Sequence, residues 1–233
     1  MGKRPIDTKD SLYPQGRVEV FTSIGKPTLV KTDTDILLDF SQCRLIDVQD
    51  LKNIVLNFGK DYVLRGLAES YTPMRITRMA IGDRGTIPSD STVPKVPVST
   101  MTGLYNEVFR SDVEGFILNV GTPTVHEVKF VKTFSAASIP ITAFSNQAKP
   151  VVNEVGLIMT NPAASPPIPS SPRPDDAGPY FFPDDLPYPY PPVSPYNYPP
   201  TDEIMFSIRT YKSVPFEAKN DISVTIRYTI YVE

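Results

Sequence analysis

His126 and Cys43 are the only histidine and the only cysteine among 233 residues. A zinc site gathers several Cys, His or carboxylate ligands in one place, and one residue of each kind does not suffice. Nucleophilic catalysis needs a hydroxyl or thiol beside a base that a third group orients. His126 instead sits in the alternating run Val125-His126-Glu127-Val128-Lys129-Phe130 and reads as a surface or structural residue. Cys43 lies near Phe40 and Leu45 and reads as a small buried hydrophobe. One cysteine excludes an internal disulfide, and its flanks suit a reducing cytoplasm.

The carboxylate pairs Asp175-Asp176 and Asp184-Asp185 could bind calcium or divide acid–base work. Such chemistry needs a rigid, partly desolvated frame. Both pairs fall in a proline-rich stretch and read as solvated. Gly82-Asp83-Arg84-Gly85 lacks the spacing of a phosphate-binding loop or a dinucleotide fingerprint and reads as a turn. The expectation is therefore a chain that is not an enzyme, with no catalytic residue, no cofactor and no metal.

Charge and composition narrow the partners. The net charge is -3, and 21% of residues are charged. A nucleic-acid surface normally shows as a basic patch, so direct nucleic-acid binding is not expected. No run of 18 apolar residues occurs, so no membrane-spanning helix is expected. Pro5 to Asp10 stands where the apolar part of a secretory signal would be.

The elements follow from periodicity. Residues 1–16 carry no period and read as an extended arm. Residues 17–160 and 201–233 read as one β-rich body. Period two marks strands at Arg17–Phe21, Met74–Ile81, Leu104–Arg110, Phe116–Val120, Val125–Phe134 and Val151–Met159. Shorter strand-like pieces occur at Thr28–Val30 and Ile36–Leu38. Thr86–Thr100, with Pro88, Pro94 and Pro97, reads as a loop.

A helix is expected from Asp47, with Val48, Leu51, Ile54, Val55 and Phe58 at helical spacing and Gly59 ending it. A second could carry Tyr62, Val63 and Leu67. In the last strand Ile222, Val224, Ile226, Tyr228, Ile230 and Val232 share one face. A one-residue slip there would turn that face to water. The fold class is mainly β (α+β), a β-sandwich-like antiparallel body with one or two short helices.

Residues 161–200 break the pattern. They hold 15 of the chain's 26 prolines. Proline fixes φ and lacks an N–H, so the stretch cannot join a helix or central strand. Extended as polyproline II, at about 3.1 Å per residue, it would reach on the order of 100 Å. Too few residues follow it for an independent core, so it reads as an insertion within one domain. Tyr180, Phe181, Phe182, Tyr188, Tyr190, Tyr196 and Tyr198 lie among the prolines. Aromatic side chains supply contact area at low entropic cost. These seven are the expected partner-binding residues, on an arm that grips another subunit.

Four blocks then line up in order. They are MRITRMAIGD at 74–83 followed by RGTIP, GLYNEVFR at 103–110, NEVGLIM at 153–159, and the stretch 209–233 that ends in SVTIRYTIYVE. Together they resemble the attachment domains of phage tail-collar fibre and baseplate proteins, over roughly residues 50–160 and 204–233. The resemblance implies a virion structural protein of the tail, collar or baseplate. It would be made in the host cytoplasm, bound to other virion proteins, and present as a homo-oligomer. In that family a short turn joins the E-V-G-L strand to the next, where residues 161–203 stand here. Family members continue into a shaft and a receptor-binding tip, whereas this chain stops at its final strand, which favours an adaptor, collar or decorating role over a receptor-binding fibre. A capsid decoration (cement) protein and a tail-associated glycan hydrolase are the alternatives.

Overall fold

The computed structural model describes residues 15–32, 35–39, 41–51, 54–56, 59–60, 75–122, 125–160 and 203–232. The expected partner-binding residues Tyr180, Phe181, Phe182, Tyr188, Tyr190, Tyr196 and Tyr198 lie outside these. So do the N-terminal arm up to residue 14 and the second expected helix.

The described residues form fourteen strands. These are β1 (Gln15–Ile24), β2 (Leu29–Lys31), β3 (Ile36–Leu38), β4 (Cys43–Leu51), β5 (Ile54–Val55), β6 (Arg75–Gly82), β7 (Thr86–Ile87) and β8 (Asp90–Pro94). They continue as β9 (Glu107–Asp112), β10 (Gly115–Thr122), β11 (Val125–Ser135), β12 (Val151–Thr160), β13 (Glu203–Pro215) and β14 (Ile222–Val232). Two five-stranded sheets result, ordered β10-β11-β14-β1-β4 and β5-β13-β12-β6-β9. Every strand pair in them is antiparallel. The fold is mainly β.

One apolar core fills the space between the sheets. Val18, Val20, Phe130, Ile226 and Tyr228 from the first meet Met79, Ile81, Val155, Leu157 and Tyr211 from the second. The outer faces are covered as well. Leu29 and Ile36 of the β2–β3 hairpin pack on Ile117 and Val131 of the first sheet. Met101 and Leu104 pack on Ala80, Ile158 and Ile208 of the second. Burial on both faces explains the near-continuous apolar run of β12, where alternation would otherwise show.

The last strand departs from expectation in one respect. Val224, Ile226 and Tyr228 are buried, as its alternation predicts. Its polar face is also shut away: Ser223, Thr225 and Thr229 are buried. Thr225 and Thr133 share a hydrogen bond of 3.0 Å. Arg227 is held beneath the hairpin, with Nε donating to Glu19 Oε2 at 2.5 Å and Nη1 to the Ile36 carbonyl at 3.3 Å. Both edges of β14 are paired, and most of its polar face lies under cover instead of in water.

The helix expected from Asp47 is strand instead. Strand β4 pairs with β1, and a bulge at Val20/Phe21 leaves Ile46 without a partner in the register. The Asp47 carboxylate does not cap a helix. It accepts from Val48 N at 3.0 Å, Gln49 Nε2 at 3.0 Å and Lys212 N at 3.2 Å. The bulge that skips Ile46 interrupts the alternation of the nine-residue β4, and its end together with the two-residue β5 imitates a 3.6-residue period. Gly59 and Lys60 are helical, with Lys60 N donating to Leu56 O at 3.1 Å, and their neighbours on both sides lie outside the described residues.

The expected loop at 86–100 contains the small hairpin β7–β8. Its prolines remain at permitted places, Pro94 at a strand end and Pro88 in the connection. Strand β9 starts later than alternation predicts, because Leu104 turns onto the outer face of the second sheet.

Strands β12 and β13 pair with Thr160 opposite Glu203. Residues 161–202 therefore leave and rejoin the same ladder.

Candidate functional site

Three of the four sequence blocks converge on one carboxylate. Glu154 of β12 is completely buried. Its Oε1 accepts from Asn106 N at 2.9 Å and Arg84 N at 3.2 Å, and its Oε2 from Tyr105 N at 2.8 Å. The side chain thus ties the connection after β6 and the approach to β9 onto the central strand of the second sheet. Burial pushes its carboxyl up from 4.5 to about 7, against the pull of the three N–H donors, and the nearby Asp83 adds to the rise.

Two flanking side chains extend the network. Asp83 Oδ1 accepts from Asn106 Nδ2 at 2.7 Å and from Ser145 Oγ at 3.0 Å, and Asp83 Oδ2 accepts from Ser145 N at 2.6 Å. Asn153 Oδ1 accepts from Gly85 N at 2.6 Å. Asn153 Nδ2 donates to Thr86 Oγ1 and Ser213 Oγ, each at 3.0 Å. Lys95 Nζ sits 4.7 Å from the centre of the Tyr105 ring and closes the outer side.

The glycines of Gly82-Asp83-Arg84-Gly85 serve this packing. Neither has a positive φ. A Cβ at Gly82 would strike Asn106 O and the Glu154 carboxylate, and one at Gly85 would strike Asn153 O and Glu154 Cβ. The motif reads as turn chemistry in the sequence, yet close approach of three backbones is what demands glycine. The sequence signal for the node was present in the blocks themselves. Glu154 stood out in none of them, because a carboxylate in an apolar strand gives no hint of its donors.

The residues weighed for chemistry stay apart. His126 is exposed at the start of β11. Cys43 is half-buried at the lip of a cleft of about 470 Å³, whose walls include Thr22, Ile24, Ser213, Val214 and Ile222. Burial, then the charge of Asp39, raises its thiol pKa and keeps it in the poorly nucleophilic protonated form. Asp175, Asp176, Asp184 and Asp185 lie outside the described residues. Among the described residues no three His, Cys, Asp or Glu side chains are grouped to hold a metal ion. Glu154 has donors on both oxygens and is sealed from solvent, so it acts as a clamp.

The exposed surface carries apolar residues at one sheet edge. Phe116 and Leu118 of β10 are 55% and 57% exposed. Lys31 reaches over the Phe116 ring at 6.0 Å. No protein-family model and no curated protein sequence matches this chain.

Proposed function

We propose that the chain is a non-enzymatic structural component of a bacteriophage virion, an adaptor in the tail, collar or baseplate that joins subunits. The observation that carries this reading is the meeting of blocks 74–88, 103–110 and 153–159 at the Glu154 node. Blocks that resemble an attachment domain have a joint physical purpose here, which is to lock two connections onto β12. The fourth block supplies the end of β13 and all of β14.

The proline–tyrosine stretch adds the gripping part. Its tyrosines and phenylalanines would lie along a neighbouring subunit, stiffened by proline against ordering entropy. The test is deletion of residues 163–200 in a phage that encodes the chain. The shortened chain should fold with unchanged circular dichroism, and particle assembly should fail. Normal particles with the shortened chain would remove the arm from the mechanism. A tagged chain absent from purified particles would end the virion reading.

A further inference from the structure

The core rows of the first sheet run out to β10 and stop unfinished. Val18, Tyr228, Phe130 and Phe116 stand side by side across β1, β14, β11 and β10. Their exposures are 0%, 0%, 5% and 55%. The next row, Ile230, Val128 and Leu118, ends in the same way. Among the described residues nothing pairs with the outer edge of β10.

Unpaired edges are normally blunted by charge, proline or shortness, because their free N–H and C=O groups recruit other strands. The other edges here follow that rule. Strand β4 carries Arg44 and Asp47, β9 carries Glu107, Arg110 and Asp112, and β5 has two residues. Strand β10 spans eight residues, GFILNVGT, with no charge and no proline.

The missing neighbour must be extended, able to donate N–H groups, and apolar at alternate positions. Residues 161–200 do not qualify, since their longest proline-free run is Asp175–Gly178. Residues 1–14 bring Lys3, Arg4, Asp7, Lys9 and Asp10, and residues 61–74 bring Asp61, Arg65, Glu69 and Pro73, where β10 has no charge and no proline. Strand β10 itself meets every requirement. We propose that β10 pairs antiparallel with β10 of a second copy about a two-fold axis, merging two five-stranded sheets into one.

In such a contact the same patch meets itself. A charged residue on or next to the axis would face its own copy, and an uncharged strand avoids this at every register. Phe116 and Leu118 would complete their rows against the partner's copies. The pairing does not depend on the virion reading, since it is a property of the purified chain.

The test measures molar mass by light scattering during size exclusion on the full chain, the Leu118→Lys variant and the Leu118→Glu variant. Leu118 is largely exposed, so both variants should keep the wild-type circular dichroism. The wild type should run at twice the chain mass and each variant alone at the single mass. An equimolar mixture of the two variants should return to the double mass. A wild type that stays single up to its solubility limit would overturn the proposal, as would variants that both stay double. Should the variants misfold, amide hydrogen exchange of the wild type decides. Protection confined to β10 must rise with protein concentration, and protection independent of concentration would overturn the pairing.

Discussion

A carboxyl group without water around it holds its proton tightly, and Glu154 titrates in the folded chain near 7 against 4.5 when free. A raised folded pKa gives stability that is fully present below the unfolded value and is lost as pH rises through the folded one. The chain should therefore weaken between about pH 4.5 and pH 7, by on the order of 3 kcal/mol, and level off above. Asp39 and Asp90 are shifted down by Ser41 and Thr92, so their effect lies on the acid side of that window. Urea midpoints measured across the window should slope downward for wild type and stay flat for Glu154→Gln. An equal slope in both would assign the pH dependence elsewhere. Gly82→Ala should cost about 1–3 kcal/mol through overpacking at the same node. Gly103→Ala, where an added Cβ meets nothing within 4 Å, should change the melting temperature little. The sequence revealed these glycines and placed Glu154 in a strand. It did not reveal their contact, because donors at 84, 105 and 106 reach 154 only through the sheet order.

At the scale of elements, the long strands were legible because period two and β-branched residues agree over eight or more positions. Strand β14 illustrates this, with Ile222, Val224, Ile226, Tyr228 and Ile230 on one face. The exception is β4, nine residues long, whose bulge at Ile46 breaks the period, so that its end and the two-residue β5 fit an apolar residue every three or four positions. The buried polar face of β14 was hidden for another reason. Ser and Thr in alternation look like a wet surface unless the covering hairpin is known. Hydrogen bonding across that face offers a test. Thr133→Val or Thr225→Val alone should cost about 1–3 kcal/mol by leaving one buried hydroxyl without its partner, while the double variant should be nearly neutral. Additive losses in a double-mutant cycle would mean that the two hydroxyls are satisfied independently.

At the scale of the whole molecule, the predominance of strand, before and after the proline stretch, was readable from pattern alone. The layering was not, since Leu29, Ile36, Met101 and Leu104 gave no sign that they roof the two sheets. Removing residues 163–200 should leave the chemical-denaturation midpoint of the purified body close to that of the full chain. A large drop would mean that the stretch belongs to the body's own core.

The pairing of Thr160 with Glu203 has a practical consequence. The two ladder ends are about one inter-strand spacing apart, some 4.8 Å. To the rest of the body, whatever lies between them is a hairpin turn of adjustable length. Closing such a loop costs only about 0.6 kcal/mol more for each doubling of its residues. This position can therefore accept a spliced cassette, such as a fluorescent reporter or a foreign epitope, without asking the two sheets to find a new register.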